Sequence, residues 1–120
     1  IHLLHPTRLG HGVRSIEDLD LIKEIIDKDI VLETCPTSNI ATKIYDNYKT
    51  HPVKKLHDLG VRVTVNSDDP PFFNATIQGE YEAMAGIGFT ERELLSMTRN
   101  AIESSFLEKD KKNKILIKLD

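Results

Sequence analysis

Three short runs of strand-forming residues alternate with helix-like segments along this 120-residue chain. The predicted strands span residues 7–10, 30–34 and 61–65, and the segment after the first carries apolar residues at helical spacing. Strands that alternate with helices favour a parallel sheet, because parallel neighbours need a crossover connection. We therefore predict an α/β chain with three βα units, followed after residue 70 by helices only.

Capping residues set the expected helix boundaries. Ser15 is predicted to cap a helix that ends near Lys28, and residues 35–39 are predicted to form a loop. Thr76 is expected to cap a helix that ends near residue 85, and Thr90 begins a capping-box pattern. A last helix is expected from about residue 104 to the end.

Polar residues capable of chemistry follow each predicted strand. His11 follows the first strand, residues 35–39 follow the second, and Asp68 and Asp69 follow the third. Active sites of α/β proteins lie at the carboxyl ends of parallel strands. We expect these residues to share one edge of the sheet.

Asp68 and Asp69 place two like charges side by side at a strand end, which is electrostatically costly without a cation or polar ligand. One carboxylate could bind a metal while the other hydrogen-bonds a substrate, since carboxylates are accepted zinc ligands. The alternative is structural, because Asp followed by Pro commonly begins a turn.

His11 lies between two glycines, where the backbone can bend sharply or approach a ligand closely. Such a histidine could bind metal, move a proton or polarise a water, or it could be a hydrogen-bonded turn residue. The other candidates are interpreted as structural. Cys35 is expected to be a small buried residue, His51 part of a helix entry, His57 a surface residue, and Glu80 part of a helix.

Four motifs in order resemble the adenosine deaminase family, in its bacterial form. The resemblance covers essentially the whole chain, and the late helices fit as well. The motifs are RLGHG at 8–12, LETCPTSN at 32–39, HP at 51–52 and VNSDDP at 65–70.

The resemblance implies a metal-dependent TIM (β/α)₈ barrel of the metal-dependent hydrolase type, with Zn²⁺ as its cofactor. It implies hydrolytic deamination of adenosine and deoxyadenosine to inosine-type products and ammonia, in purine salvage, through a zinc-activated water. By motif match, Asp68 is the catalytic zinc ligand, and Asp69 contacts the purine. His11 is the catalytic residue that positions or deprotonates the water.

Two motifs of that family are absent from residues 1–120: the early His-x-His and the His-Ala-Gly-Glu type motif. A complete barrel also needs about 250 residues. We therefore expect residues 1–120 to be the C-terminal part of one barrel domain, carrying its last three strands. We expect the isolated chain to bind no stoichiometric zinc and to be inactive.

Composition excludes several partners. A net charge of −3 gives no electrostatic reason to expect nucleic acid, and no apolar stretch approaches the length of a membrane span. The single cysteine cannot form an internal disulfide, so a cytoplasmic location is expected.

Two alternatives to an adenosine deaminase remain open. One is a sister enzyme that acts on adenine or a modified adenosine with the same catalytic residues. The other is a non-catalytic truncated fragment. The expected partner is a small-molecule purine nucleoside.

Overall fold

The computed structural model describes residues 1–119. A three-stranded parallel sheet lies at its centre in the order β1–β2–β3. The strands are β1 (Arg8–Gly10), β2 (Val31–Thr34) and β3 (Val63–Val65). The predicted α/β class and parallel pairing are confirmed, and β3 is shorter than the predicted run because residues 61 and 62 lie before the ladder.

The register aligns Leu9 with Leu32, and Leu32 with Val63. Within the described residues, β1 and β3 each pair only with β2. Both outer strands therefore present one unpaired edge, which is the condition that barrel closure removes.

Seven α-helices connect and follow the strands within residues 1–119. A 3₁₀ turn at Val13–Glu17 precedes the first helix, and another at Ile117–Leu119 follows the last. The helices are α1 (Leu19–Asp27), α2 (Pro36–Ala41), α3 (Val53–Asp58), α4 (Pro70–Phe73), α5 (Ile77–Gly86), α6 (Glu91–Ser104) and α7 (Lys109–Leu116).

The first helix boundary differs from the prediction. Ser15 lies inside the 3₁₀ turn, so the helix that it was expected to cap begins later, at Leu19. Asp18 is the cap instead: its backbone is extended, and its carboxylate accepts hydrogen bonds from the N–H groups of Asp20 and Leu21 at 3.0 and 3.1 Å.

Residues 35–39, predicted to be a loop, contribute most of α2. Pro36 occupies the first helical position, where its missing N–H costs nothing. The N–H of Thr37 is satisfied by the distant carboxylate of Glu80 rather than by a local cap. Because that partner is 43 residues away in sequence, no local pattern indicated the helix.

The later caps match the prediction. Thr76 accepts a hydrogen bond from the N–H of Gly79 at 3.0 Å, and Thr90 and Glu93 form a complete capping box. The expected last helix begins later than predicted, because α6 continues through Ser104 and α7 begins at Lys109.

One hydrophobic cluster joins the helices to the sheet. Each of α1, α3, α5 and α6 contributes at least one fully buried apolar side chain to it. Burial of such side chains supplies about 1.5–3 kcal/mol each and fixes the sheet against the helices. Its central members are Ile22, Ile25, Leu32, Val53, Leu56, Val63, Met84 and Met97.

No helix among residues 1–119 has the length and apolar character required to cross a membrane.

The capping box generates a pH-dependent prediction. The N–H of Thr90 donates to Glu93, and this bond, together with its hydroxyl and Lys54, lowers the pKa of Glu93 to about 2. A carboxylate with a lowered folded pKa stabilises the fold above its unfolded pKa of 4.5, and this contribution is lost as the pH falls toward about 2. Glu93→Gln should therefore lower the midpoint of urea unfolding at neutral pH. The difference between the midpoints of the variant and the wild-type protein should shrink as the pH falls from 4.5 to about 2. A difference independent of pH would contradict this account.

Candidate active site

The carboxyl end of β2 forms hydrogen bonds with the segments that follow β1 and β3. The N–H of His11 donates to the carbonyl of Glu33 at 2.9 Å, and the N–H of Asn66 donates to the carbonyl of Thr34 at 2.9 Å. The Asn66 amide donates to the same Thr34 carbonyl at 3.1 Å. These bonds bring the segments after β1 and β3 to one edge of the sheet.

His11 and Asp68 meet at this edge. His11 Nε2 lies 3.5 Å from Asp68 Oδ2, and both side chains are partly exposed. Both residues have left-handed backbone conformations, with φ of 56° and 59°. Such angles are uncommon outside glycine and cost free energy, and they often occur where a side chain must be aimed at a site.

Gly12 continues the left-handed turn after His11, with φ of 64°. A Cβ atom at this position would lie 2.9 Å from Leu32 Cδ2 in the core. The close approach explains the glycine that the motif carries after its histidine.

The three predicted site residues line one cavity. His11, Asp68 and Asp69 contribute to its wall, together with Phe73, and its volume is about 890 Å³. The structure therefore brings the three side chains to one cavity, and their individual roles remain predictions.

Asp69 also has the structural role that the alternative interpretation assigned to it. Its carboxylate accepts a hydrogen bond from the N–H of Phe72 at 3.4 Å and caps the short helix α4. A carboxylate has lone pairs for further bonds, so this cap leaves Asp69 able to accept from a ligand.

A chain of hydrogen bonds that the sequence did not reveal supports His11. Asn39 Nδ2 lies 3.3 Å from His11 Nδ1, and Asn39 Oδ1 lies 3.0 Å from His51 Nε2. The N–H of Val53 donates to His51 Nδ1 at 3.2 Å. His51 is thus a helix-entry residue, as predicted, and it also contacts the site through Asn39.

His51 and Asn39 are both buried, at 4% and 5% exposure. Burial lowers the pKa of His51 to about 4, because a charged imidazolium would lose its hydration. His51 is therefore neutral near pH 7.

Glu80 anchors the helix that carries Asn39. The residue is 1% exposed, and its carboxylate accepts from the N–H of Thr37 at 3.2 and 3.3 Å. Burial raises the pKa of Glu80, and the bonds from Thr37 oppose this rise. The expected structural role of this residue agrees with these contacts.

Cys35 lies beside the pair formed by His11 and Asp68. Burial, followed by the negative charges of Asp68, Glu80 and Glu33, raises its pKa to about 12. A nucleophilic cysteine needs a lowered pKa, so these surroundings argue against a cysteine nucleophile.

The donor set fits part of a zinc site. One ligand atom from each of His11, Cys35 and Asp68 lies within 4.8 Å of the others. Carboxylate oxygen is an ordinary zinc ligand, so Asp68 can supply one position of such a site. The carboxylates that keep Cys35 protonated also make the site favourable for a cation.

A second cluster, formed by His57, Asp58 and Glu93, has comparable spacing. Lys54 already forms ion pairs with both carboxylates, so its ammonium supplies the positive charge there. His57 was predicted to be a surface residue, but it is half-buried with its ring packed edge-on against Phe89.

The adenosine deaminase family model matches residues 1–120. The chain belongs to the adenosine deaminase family. An adenine deaminase from Rhizobium rhizogenes strain K84 is 48% identical over 120 residues, which are 99% of this chain and 37% of that protein. The chain therefore spans little more than a third of the length of this curated relative.

Solved structures of the family have the same fold. The crystal structure of an adenine deaminase from Arthrobacter aurescens has a TM-score of 0.93 at 30% identity and covers 98% of this chain and 36% of that one. An amidohydrolase from Burkholderia ambifaria with bound Zn has a TM-score of 0.86 at 26% identity, covering 98% and 33%. The three-stranded sheet is thus part of a TIM barrel of the metal-dependent hydrolase type.

The surroundings of Cys35 predict low reactivity. At about pH 8.5, where an ordinary cysteine is about half ionised, Cys35 in metal-free folded protein should be alkylated by iodoacetamide more than about 100-fold more slowly than after unfolding in urea. Mass spectrometry of the peptide that contains Cys35 measures both rates. Equal rates would show that the thiol is neither buried nor held in its protonated form.

Proposed function

We propose that the full-length protein hydrolytically deaminates adenine, with a bound Zn²⁺ ion. Water adds to C6 of the purine, the bond from C6 to the exocyclic nitrogen breaks, and that nitrogen leaves with a proton as ammonia. The observation that carries the proposal is the pairing of His11 with Asp68 in a chain 48% identical to a protein named adenine deaminase.

The choice of substrate rests on the relatives. The motifs' resemblance to the adenosine deaminase family favours adenosine, with adenine as the alternative, whereas the curated relatives at 42–48% identity carry the name adenine deaminase. Their agreement supports adenine. The family model, described as adenosine deaminase, supports the shared chemistry of both.

Asp68 would hold the zinc ion through its carboxylate, and the remaining protein ligands would come from outside residues 1–120. Zinc supplies a nucleophile near neutral pH by lowering the pKa of a bound water to about 7. The backbone turn at Asp68 is left-handed, and its carboxylate lies 3.5 Å from His11, which would contact the reacting water.

Asp69 would accept a hydrogen bond from the purine ring. It is adjacent to Asp68 and lines the same cavity, where the ring of Phe73 supplies an apolar wall. The bond from the Phe72 N–H holds the Asp69 side chain in position before the purine binds.

Purified full-length protein is expected to convert adenine with a higher kcat/KM than adenosine, because the curated relatives are named adenine deaminase. A coupled assay for ammonia, run on both substrates with the same enzyme, measures the ratio. A higher kcat/KM for adenosine would overturn the substrate assignment while leaving the family chemistry intact.

Residues 1–120 expressed alone are expected to be inactive and to lack stoichiometric zinc, since three protein ligands normally hold a catalytic zinc ion.

Substitutions of Asp68 and Asp69 in the full-length protein should have different effects on zinc content and kinetics. Asp68→Ala should lower both zinc content and kcat, because it removes a metal ligand. Asp69→Ala should keep its zinc and raise KM by about 10-fold or more, since it loses a hydrogen bond between a charged group and the purine. Asp110→Ala, at an exposed aspartate of α7 that does not line the cavity, is the control for loss of a charge. Loss of zinc from Asp69→Ala would show that the assigned roles are wrong.

A further inference from the structure

The direction of the hydrogen bonds that reach His11 is fixed by a backbone group. The N–H of Val53 can only donate, so His51 Nδ1, 3.2 Å away, accepts. A neutral imidazole that accepts at Nδ1 carries its hydrogen on Nε2. The buried surroundings of His51 keep it neutral near pH 7.

The same logic orients the Asn39 amide. His51 Nε2 donates, so the Asn39 atom 3.0 Å away must be the oxygen. The amide nitrogen of Asn39 then faces His11 and donates to His11 Nδ1 across 3.3 Å. The orientation of the amide therefore follows from the Val53 N–H, not from an arbitrary choice of flip.

We propose that Asn39 and His51 are positioning residues that hold the ring hydrogen of His11 on Nε2, so that His11 donates a hydrogen bond into the site and does not act as a base. With Nδ1 accepting from the Asn39 amide, Nε2 is the nitrogen that carries the ring hydrogen, and it lies 3.5 Å from Asp68 Oδ2. A nitrogen that carries this hydrogen has no lone pair with which to take a proton from water. The proposal rests on the proposed function and decides between the two roles, positioning the water or deprotonating it, that the family resemblance leaves open for His11.

The hydrogen-bond relay, which runs from the Val53 N–H through His51 and Asn39 to His11, is held in place by packing contacts. Asn39 is held by α2, whose second residue is anchored by the buried Glu80 carboxylate, and His51 precedes α3 in a buried turn. Tyr45 packs edge-on against the His51 ring, with centroids 5.0 Å apart. These contacts leave Asn39 and His51 little freedom to exchange donor and acceptor.

Nitrogen NMR of the zinc-loaded full-length protein, labelled with ¹⁵N-histidine, tests the proposal directly. Long-range proton–nitrogen spectra show which ring nitrogen carries the hydrogen, and His11→Gln identifies the His11 signals. The expected result is a hydrogen on Nε2 and a bare Nδ1. A hydrogen on Nδ1 in the wild-type protein overturns the proposal, and this measurement does not depend on catalysis.

Asn39→Asp tests the consequence for catalysis. The substitution keeps the shape but offers only acceptors, so it should move the ring hydrogen of His11 to Nδ1. We expect kcat to fall by about 10- to 100-fold, as for other groups that orient a catalytic side chain, with KM and zinc content unchanged within about twofold. Asn47→Asp, which adds the same charge in an exposed turn, is the matched control. If the ring hydrogen moves and kcat is retained or rises, His11 acts as a base and the proposal is wrong.

Substitutions of His51 test the far end of the relay. His51→Gln can still donate to Asn39 Oδ1 and should retain more of kcat than His51→Leu, which cannot donate. Equal losses of kcat in the two variants would count against the relay. If the wild-type protein deaminates neither adenine nor adenosine, the proposed function fails, while the NMR spectrum still decides where the hydrogen of His11 lies.

Discussion

Two backbone hydrogen bonds at the end of β2 determine where the site can form. The carbonyls of Glu33 and Thr34 accept from His11 and Asn66, so the chain segments after β1 and β3 leave the sheet at the same level. Parallel strands alone would bring these segments to one edge, but they would not fix the distance between them. The paired bonds do, and the 3.5 Å separation of His11 and Asp68 depends on them.

Carboxylates determine the electrostatic character of the sheet edge that carries the site. Asp68, Glu80 and Glu33 all lie close enough to raise the pKa of Cys35, which is itself buried. Glu80 is offset by the N–H of Thr37, and Glu33 lies 3.4 Å from Arg8. Asp68 has only the partly exposed His11 among its ion-pairing partners in the described residues, so it is the carboxylate for which a bound cation would be most favourable.

Local patterns predicted the elements whose signals are local. Thr76 and Thr90 begin helices because their capping partners are three residues away, and the sequence displays both partners together. The errors at Ser15 and Pro36 have a different cause. Ser15 competes with Asp18, which is a better acceptor in an extended backbone, and α2 depends on Glu80. Packing decides which residue caps or anchors each helix, and the identities of adjacent residues do not contain that information.

The same distinction applies to the site. His11, Asp68 and Asp69 could be found because each lies within four residues of the end of a strand, and strand ends converge in a parallel sheet. The relay through Asn39 and His51 joins residues 28 and 12 positions apart, and both contacts require the helical form of α2, which the sequence did not reveal.

The core and the site are also coupled through the turn that carries His11. Gly12 approaches Leu32 so closely that a side chain at position 12 would displace this fully buried residue, and Leu32 is aligned in the sheet with Leu9 and Val63. The left-handed conformation at His11 is uncommon for a residue with a side chain, so it persists only while its neighbours hold it. A tightly packed Leu32 prevents the turn from moving inward, and the bond from the His11 N–H to Glu33 prevents it from moving outward. The precision with which His11 and Asp68 are placed thus depends on the hydrophobic core as much as on the polar residues that line the cavity.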